Sequence, residues 1–249
     1  MYNYAVIQRR RSPWMERMPE MSGTSLVCNN YLTRIGINMD SKFELAPQSH
    51  SLLLLPMIDR LLKKADIKLA QLDGLIFGQG PGSFTGVRIG VGVAQGLAFA
   101  ADLKVVGVST LQVMAQRAYT MHQQVDVIAT IDARMSEVYA GYYQLNEQGI
   151  IESMISDTVL PPAQLSQYLN DHLVEEQQVY GVGTGWDAYK NELESLKINA
   201  GSPEILFPHA EELLEIGQYY FSKGMAVSAE NAQPVYVRDT VSWKKLPGK

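Results

Sequence analysis

A short apolar run that stops in glycine constrains this chain more than any other feature. Gly74-Leu75-Ile76-Phe77-Gly78 leads directly into Gln79-Gly80-Pro81-Gly82-Ser83-Phe84-Thr85-Gly86. Such a run reads as a strand buried on both faces. The glycine turn and the helical pattern behind it, Thr85 to Ala101, complete a strand–turn–helix unit. Similar units lie on either side. A helix from Ser49 or Ser51 to about Ala65 precedes it, with an apolar stripe of Leu53, Met57, Leu61 and Leu62. Lys104 to Val108 reads as a strand, Thr110 to Tyr119 as a helix and Val125 to Ile131 as a buried strand. Glu137 to Leu145 and Ile151 to Leu160 bracket the hairpin turn Asn146-Glu147-Gln148-Gly149. Pro161-Pro162 opens a helix to about Leu173. Val179 to Val182 is a strand, and helices follow over about Asp187 to Leu196 and Glu211 to Phe221. Alternating strands and helices define an α/β class.

Composition narrows what this fold can do. The 249 residues allow one large domain or two small ones. With 46% hydrophobic and 19% charged residues, wholesale disorder is excluded. The longest apolar run, near Leu52 to Ile58, falls far short of the roughly 18–20 residues that span a bilayer, so no membrane is expected. A single cysteine, Cys28, excludes an intramolecular disulfide and a multi-thiolate metal site, and a cytoplasmic location is expected. The formal charge of -5 argues against non-specific nucleic-acid binding. That charge is uneven. Residues 1–42 carry six basic and three acidic groups, a net +3, which leaves -8 on the remainder. They also hold five of the eleven methionines. Tyr2 to Ile7 can form a strand that Arg9-Arg10-Arg11-Ser12-Pro13 ends, and Thr33 to Met39 alternates like another. No apolar core of a signal peptide follows the basic start. Residues 1–42 are an atypical leader, and regular patterning begins at Phe43.

A glycine loop before a helix suits phosphate, because its amides approach an anion and the helix N-terminus adds its dipole. Gly80, Gly82, Ser83 and Thr85 are the candidate nucleotide-facing residues. Neither common phosphate fingerprint is present: no lysine lies between Lys68 and Lys104, and the third glycine of a dinucleotide turn is missing. Ser83 and Thr85 serve equally as helix caps. The helix itself carries Gly86, Gly90, Ala94 and Ala98 at four-residue spacing, with Gly92, Gly96 and Ala100 as a neighbouring stripe. Each interior glycine costs about 1 kcal/mol relative to alanine. Close approach of another backbone must offset that cost, and either the helix's own sheet or a partner helix can supply it.

The remaining chemistry is sparse. His50, His122, His172 and His209 form no pair at i, i+4, so no helix offers two metal ligands on one face, and no metal is expected. Asp132 and Arg134, with Glu137 nearby, form the best charged cluster. It is either an ion pair at a strand end or a ligand contact in a cleft. Trp186, on the Gly183–Gly185 loop, reads as packing. Lys244, Lys245 and Lys249 make a small basic tail.

The segment Gly78-Gln79-Gly80-Pro81-Gly82-Ser83-Phe84-Thr85-Gly86-Val87-Arg88-Ile89-Gly90 resembles the signature of the TsaB (YeaZ) family of bacterial tRNA threonylcarbamoyladenosine biosynthesis proteins. The resemblance continues in Ala94-Gln95-Gly96-Leu97-Ala98, Gly107-Val108-Ser109-Thr110-Leu111, Ile131-Asp132-Ala133-Arg134-Met135, Val182-Gly183-Thr184-Gly185-Trp186, Pro234-Val235-Tyr236-Val237-Arg238 and the closing Trp243 to Lys249. It covers about residues 43–249. It implies two actin-like (ASKHA, ribonuclease H-like) subdomains: 43–108 with the helix near 209–223 packing back, then 109–208, then a tail over 224–249. It also implies a non-catalytic scaffold in forming N6-threonylcarbamoyladenosine beside the anticodon of tRNAs reading codons that begin with A. The implied partners are a TsaD-like paralogue, docked through the helices at about 51–64 and 85–101, and a TsaE-like ATPase. Contact with tRNA would be indirect, through the complex, and a homodimer would form when the chain is alone. Leu53, Met57, Leu61, Gly86, Gly90, Ala94 and Ala98 are the expected interface. No cofactor is expected on this chain, ATP being used by the partner complex, and no catalytic residue is assigned. A stand-alone ATP-dependent enzyme of the sugar-kinase-like fold is the alternative.

The leader departs from the family, whose members open with a strand ending in Asp-Thr and then a hairpin. Codons for Val6 through Arg11 can be chosen so that a shifted frame reads Asp-Thr-Ala-Thr-Glu. The leader is thus either a divergent N-terminus or the family's first hairpin read out of frame, in which case the first sheet lacks its normal N-terminal strands.

Overall fold

The computed structural model describes residues 4–9, 24–29, 33–35, 50–169, 172–173, 179–193, 199–200 and 205–238. The proposed cap Ser49 and the basic tail residues Lys244, Lys245 and Lys249 lie outside them, as do residues 36–39 of the second leader strand.

Among the described residues two five-stranded sheets share one strand order. In the first, β1 (Tyr4–Arg9), β2 (Thr24–Asn29), β3 (Thr33–Ile35), β4 (Gly74–Gly80) and β5 (Lys104–Ser109) stand in the order β3-β2-β1-β4-β5. In the second, β6 (Asp126–Arg134), β7 (Glu137–Leu145), β8 (Ile151–Leu160), β9 (Tyr180–Val182) and β10 (Asn199–Ala200) stand in the order β10-β9-β6-β7-β8. Each sheet is an antiparallel three-strand unit joined to a parallel pair. The leader therefore does supply strands, and the expectation that the first sheet lacks them is corrected: unpaired amides and carbonyls along β4 are satisfied by β1. The two sheets differ in direction. β6 runs parallel to β9, whereas β1 runs antiparallel to β4, with Val6 opposite Ile76.

Among the described residues seven helices pack around these sheets: α1 (His50–Lys64), α2 (Phe84–Ala101), α3 (Thr110–His122), α4 (Leu165–Leu169), α5 (Thr184–Ala188), α6 (Lys190–Leu193) and α7 (Ala210–Ser222). Strand alternation sorts them into layers. Leu75, Phe77 and Val105 point to a core shared with α1 and α2. Ile76, Val106 and Val108 point the other way, into a core built on α3 and α7. Val127, Ala129 and Ile131 of β6 reach that same core from the second sheet, so α3 and α7 lie between the sheets. Ile128 turns outward to Leu165, Leu169, Trp186 and Leu193. The close fit of α7 is visible at Gly217, where a methyl group would come within 2.3 Å of the Ile76 side chain.

Three features differ from the sequence pattern. The helix expected to reach Leu173 is α4 (Leu165–Leu169), and His172 and Leu173 are not helical, their amides both donating to the Leu169 carbonyl. The helix expected over 187–196 is split, because Tyr189 leaves helical dihedrals (φ -129°, ψ 38°). Finally, the longest apolar element is α2, not Leu52–Ile58. By length and composition it would suit a membrane span, but its apolar residues have a packing role: Val87, Val91, Ala94 and Ala98 are buried on the sheet.

Candidate functional site: an open helix face and a covered glycine loop

Helices α1 and α2 lie side by side and share one core, so each has an inner and an outer face. Met57, Leu61, Gly86, Gly90, Ala94 and Ala98 are buried on the inner face, Ala94 and Ala98 completely, and Leu53 packs half-buried against the same core. This small-residue stripe thus meets the helix's own sheet and is buried within the chain. On the outer face Gly92 and Gly96 are exposed, and a methyl group added to either would meet nothing within 4 Å. Large apolar groups share the outer surfaces of the two helices: Phe99 is 80% exposed, Leu52 75% and Leu55 51%.

The glycine loop is built locally. Gly80 adopts φ +105°, a left-handed conformation that favours glycine. Ser83 caps α2, its Oγ accepting from the Gly86 amide at 3.3 Å. Gly82 is half-buried and Thr85 exposed. The segment 232–236 lies over this loop. The Val235 amide donates to the Gln79 carbonyl at 2.8 Å, and Arg88 Nε donates to the Tyr236 hydroxyl at 2.6 Å. The Arg88 guanidinium also sits 3.6 Å from the centre of the Phe84 ring.

Asp132 and Arg134 form an ion pair at 3.1 Å, with the Arg134 side chain 87% exposed. Such a pair is worth at most about 1 kcal/mol. Asp132 also accepts from the Arg134 amide and from the Tyr189 hydroxyl, at 2.9 and 3.2 Å, so it braces the β6–β7 turn. Arg134, Met135 and Ser136 all take positive φ there. Glu137 pairs instead with Arg238. Trp186 is packed, 4% exposed, against the Gly181 backbone. Among the described residues no group of three or more His, Cys, Asp or Glu is placed to hold a metal.

One cluster had no sequence signal. Ser109, which caps α3, donates to Asp157 at 2.5 Å, and the Tyr143 hydroxyl donates to the same carboxylate. Burial raises the Asp157 pKa, against the lowering effect of those two donors. Burial, then the Asp157 charge, raises that of Tyr143. The cluster ties the end of β5 to β7 and β8 and is a structural joint between the two sheets.

Two sheets of one strand order, with paired helices between and outside them, define a protein of the actin-like fold class. A family model described as "TsaD: tRNA N6-adenosine threonylcarbamoyltransferase" matches residues 43–246, beginning where regular patterning begins. The Escherichia coli (strain K12) protein named tRNA threonylcarbamoyladenosine biosynthesis protein TsaB is 42% identical over 215 residues, covering 85% of this chain and 90% of that protein. Its namesake in Haemophilus influenzae is 42% identical over 220 residues, covering 83% and 87%. The solved structure of YeaZ from Pseudomonas aeruginosa superposes with a TM-score of 0.73 at 39% identity, covering 86% of this chain and 94% of that one. The chain belongs to the TsaB (YeaZ) family.

Proposed function

We propose that this chain is a non-catalytic subunit in the formation of N6-threonylcarbamoyladenosine on tRNA, acting by docking a TsaD-like transferase on the outer face of α1 and α2. One observation carries this reading: two interior glycines, Gly92 and Gly96, stand exposed in α2 with no intramolecular contact that needs them. Each costs helix stability, which close approach of a partner helix offsets. The exposed Phe99, Leu52 and Leu55 add the apolar area such a partner would bury. Family membership supports the pathway. The covered glycine loop favours a scaffold over a stand-alone ATP-dependent enzyme. In this reading ATP is handled by the partner complex, with a TsaE-like ATPase, and tRNA is reached through that complex in the cytoplasm. Without its partner the same face pairs two copies of the chain. Gel filtration of the purified chain with a TsaD-like transferase tests the proposal. Co-elution that Gly92→Trp abolishes is expected. Failure of the unmodified chain to co-elute, together with intrinsic ATP hydrolysis, would overturn it.

A further inference from the structure

Residues 232–238 leave a single 3-10 turn at Ala229–Asn231 and cross from the first sheet's glycine loop to the second sheet's β6–β7 turn. At the first end, Gln95 Nε2 donates to the Ala232 carbonyl and the Val235 amide donates to the Gln79 carbonyl, both at 2.8 Å. The Val235 carbonyl lies so close to Gly80 that an added methyl would sit 3.1 Å from it. Tyr236 accepts from Arg88, whose guanidinium lies 3.6 Å from the centre of the Phe84 ring and 5.3 Å from that of Tyr236. At the far end, Arg238 pairs with Glu137, donates to the Ala133 carbonyl at 3.3 Å and lies 3.6 Å from Met135 Sδ.

These contacts occupy the space over the loop and engage the cation that an anionic ligand would need. Phosphate binding at a helix start depends on free amides and an available cation. Here Ser83 Oγ takes the Gly86 amide, and Arg88 is engaged by the Tyr236 hydroxyl and the Phe84 ring. The Val235 carbonyl turns a partial negative charge toward the loop. We infer that residues 232–238 are an intramolecular clasp that fills the glycine loop in place of a phosphate-bearing ligand and, through Arg238, ties that loop to the β6–β7 turn. Gly80 is then required for close approach of the chain's own tail. The inference goes beyond the docking proposal and does not depend on it.

Hydrogen exchange read by mass spectrometry on the full chain tests the clasp. Arg238→Ala should raise exchange about tenfold both at 133–137 and at 232–236, as expected for losing a charge-assisted hydrogen bond that holds one connected segment. The α3 and α7 peptides should be unchanged. If Arg238→Ala lowers folded yield, Glu137→Gln removes the same pairing and serves as the second variant. A rise confined to 133–137 would show two separate contacts and overturn the inference. So would binding of magnesium ADP to the unmodified chain with the Val235 amide still protected.

Discussion

Replacing Gly92 and Gly96 together by alanine separates the needs of the isolated chain from those of a complex. Both lie inside the 18-residue α2, several residues from either end. Each replacement relieves about 1 kcal/mol of backbone entropy cost. Because an added methyl meets nothing within 4 Å at either site, no packing cost offsets the gain. The double variant should therefore be about 2 kcal/mol more stable, raising the melting temperature by about 4–8 °C for a chain of this size. The same methyls would stand in the way of a closely packed partner helix, and overpacking costs about 1–3 kcal/mol. Affinity for a TsaD-like partner should fall roughly tenfold or more. Thermal melts followed by circular dichroism measure the first effect, and titration calorimetry the second. A lower melting temperature would refute the account, since it would mean the glycines are needed within the chain. So would higher stability with unchanged affinity. The inner stripe provides the contrast: Ala94→Trp, at a fully buried position, should prevent folding rather than docking alone.

Other consequences follow from the buried charges. Glu212→Ala strands Arg117, its partner at 3.0 Å, and should cost about 3–5 kcal/mol in urea unfolding, while Arg117→Met with Glu212→Leu should recover much of that. Burial, with Arg117 adding to it, lowers the His209 pKa from 6.5 to about 4. A depressed histidine pKa means the unfolded chain binds the extra proton, so its contribution is fully present above pH 6.5 and is lost as pH falls toward about 4. His209→Gln should flatten that part of the stability profile, and an identical acid limb in both proteins would contradict it.

Much of the architecture was legible because burial leaves a periodic trace. β4 reads as a continuous apolar run since α1 and α2 cover Leu75 and Phe77 while α7 covers Ile76. The hairpin at Asn146 was equally plain, its side chain accepting from the Gln148 and Ile150 amides. What α2 presents outward was not legible. Two small-residue stripes lie side by side on one helix, and only packing shows that Gly90 and Ala94 face in and Gly92 and Gly96 face out. The Ser109–Tyr143–Asp157 joint was invisible because its members are 34 and 48 residues from Ser109 and meet only through sheet pairing. The tail contacts were hidden for the same reason: Arg88 and Tyr236 are 148 residues apart. Strand direction in the leader also has no local code. Tyr4 to Arg9 satisfies the edge of β4 in the antiparallel sense, although its counterpart β6 meets β9 in parallel.

The most direct test of the central claim is the dissociation constant of this chain for a purified TsaD-like transferase, measured by calorimetry alongside the Gly92→Trp variant. A defined complex that the variant loses while keeping its melting temperature is the predicted result. Equal binding by both proteins, or no binding by the unmodified chain, would contradict it.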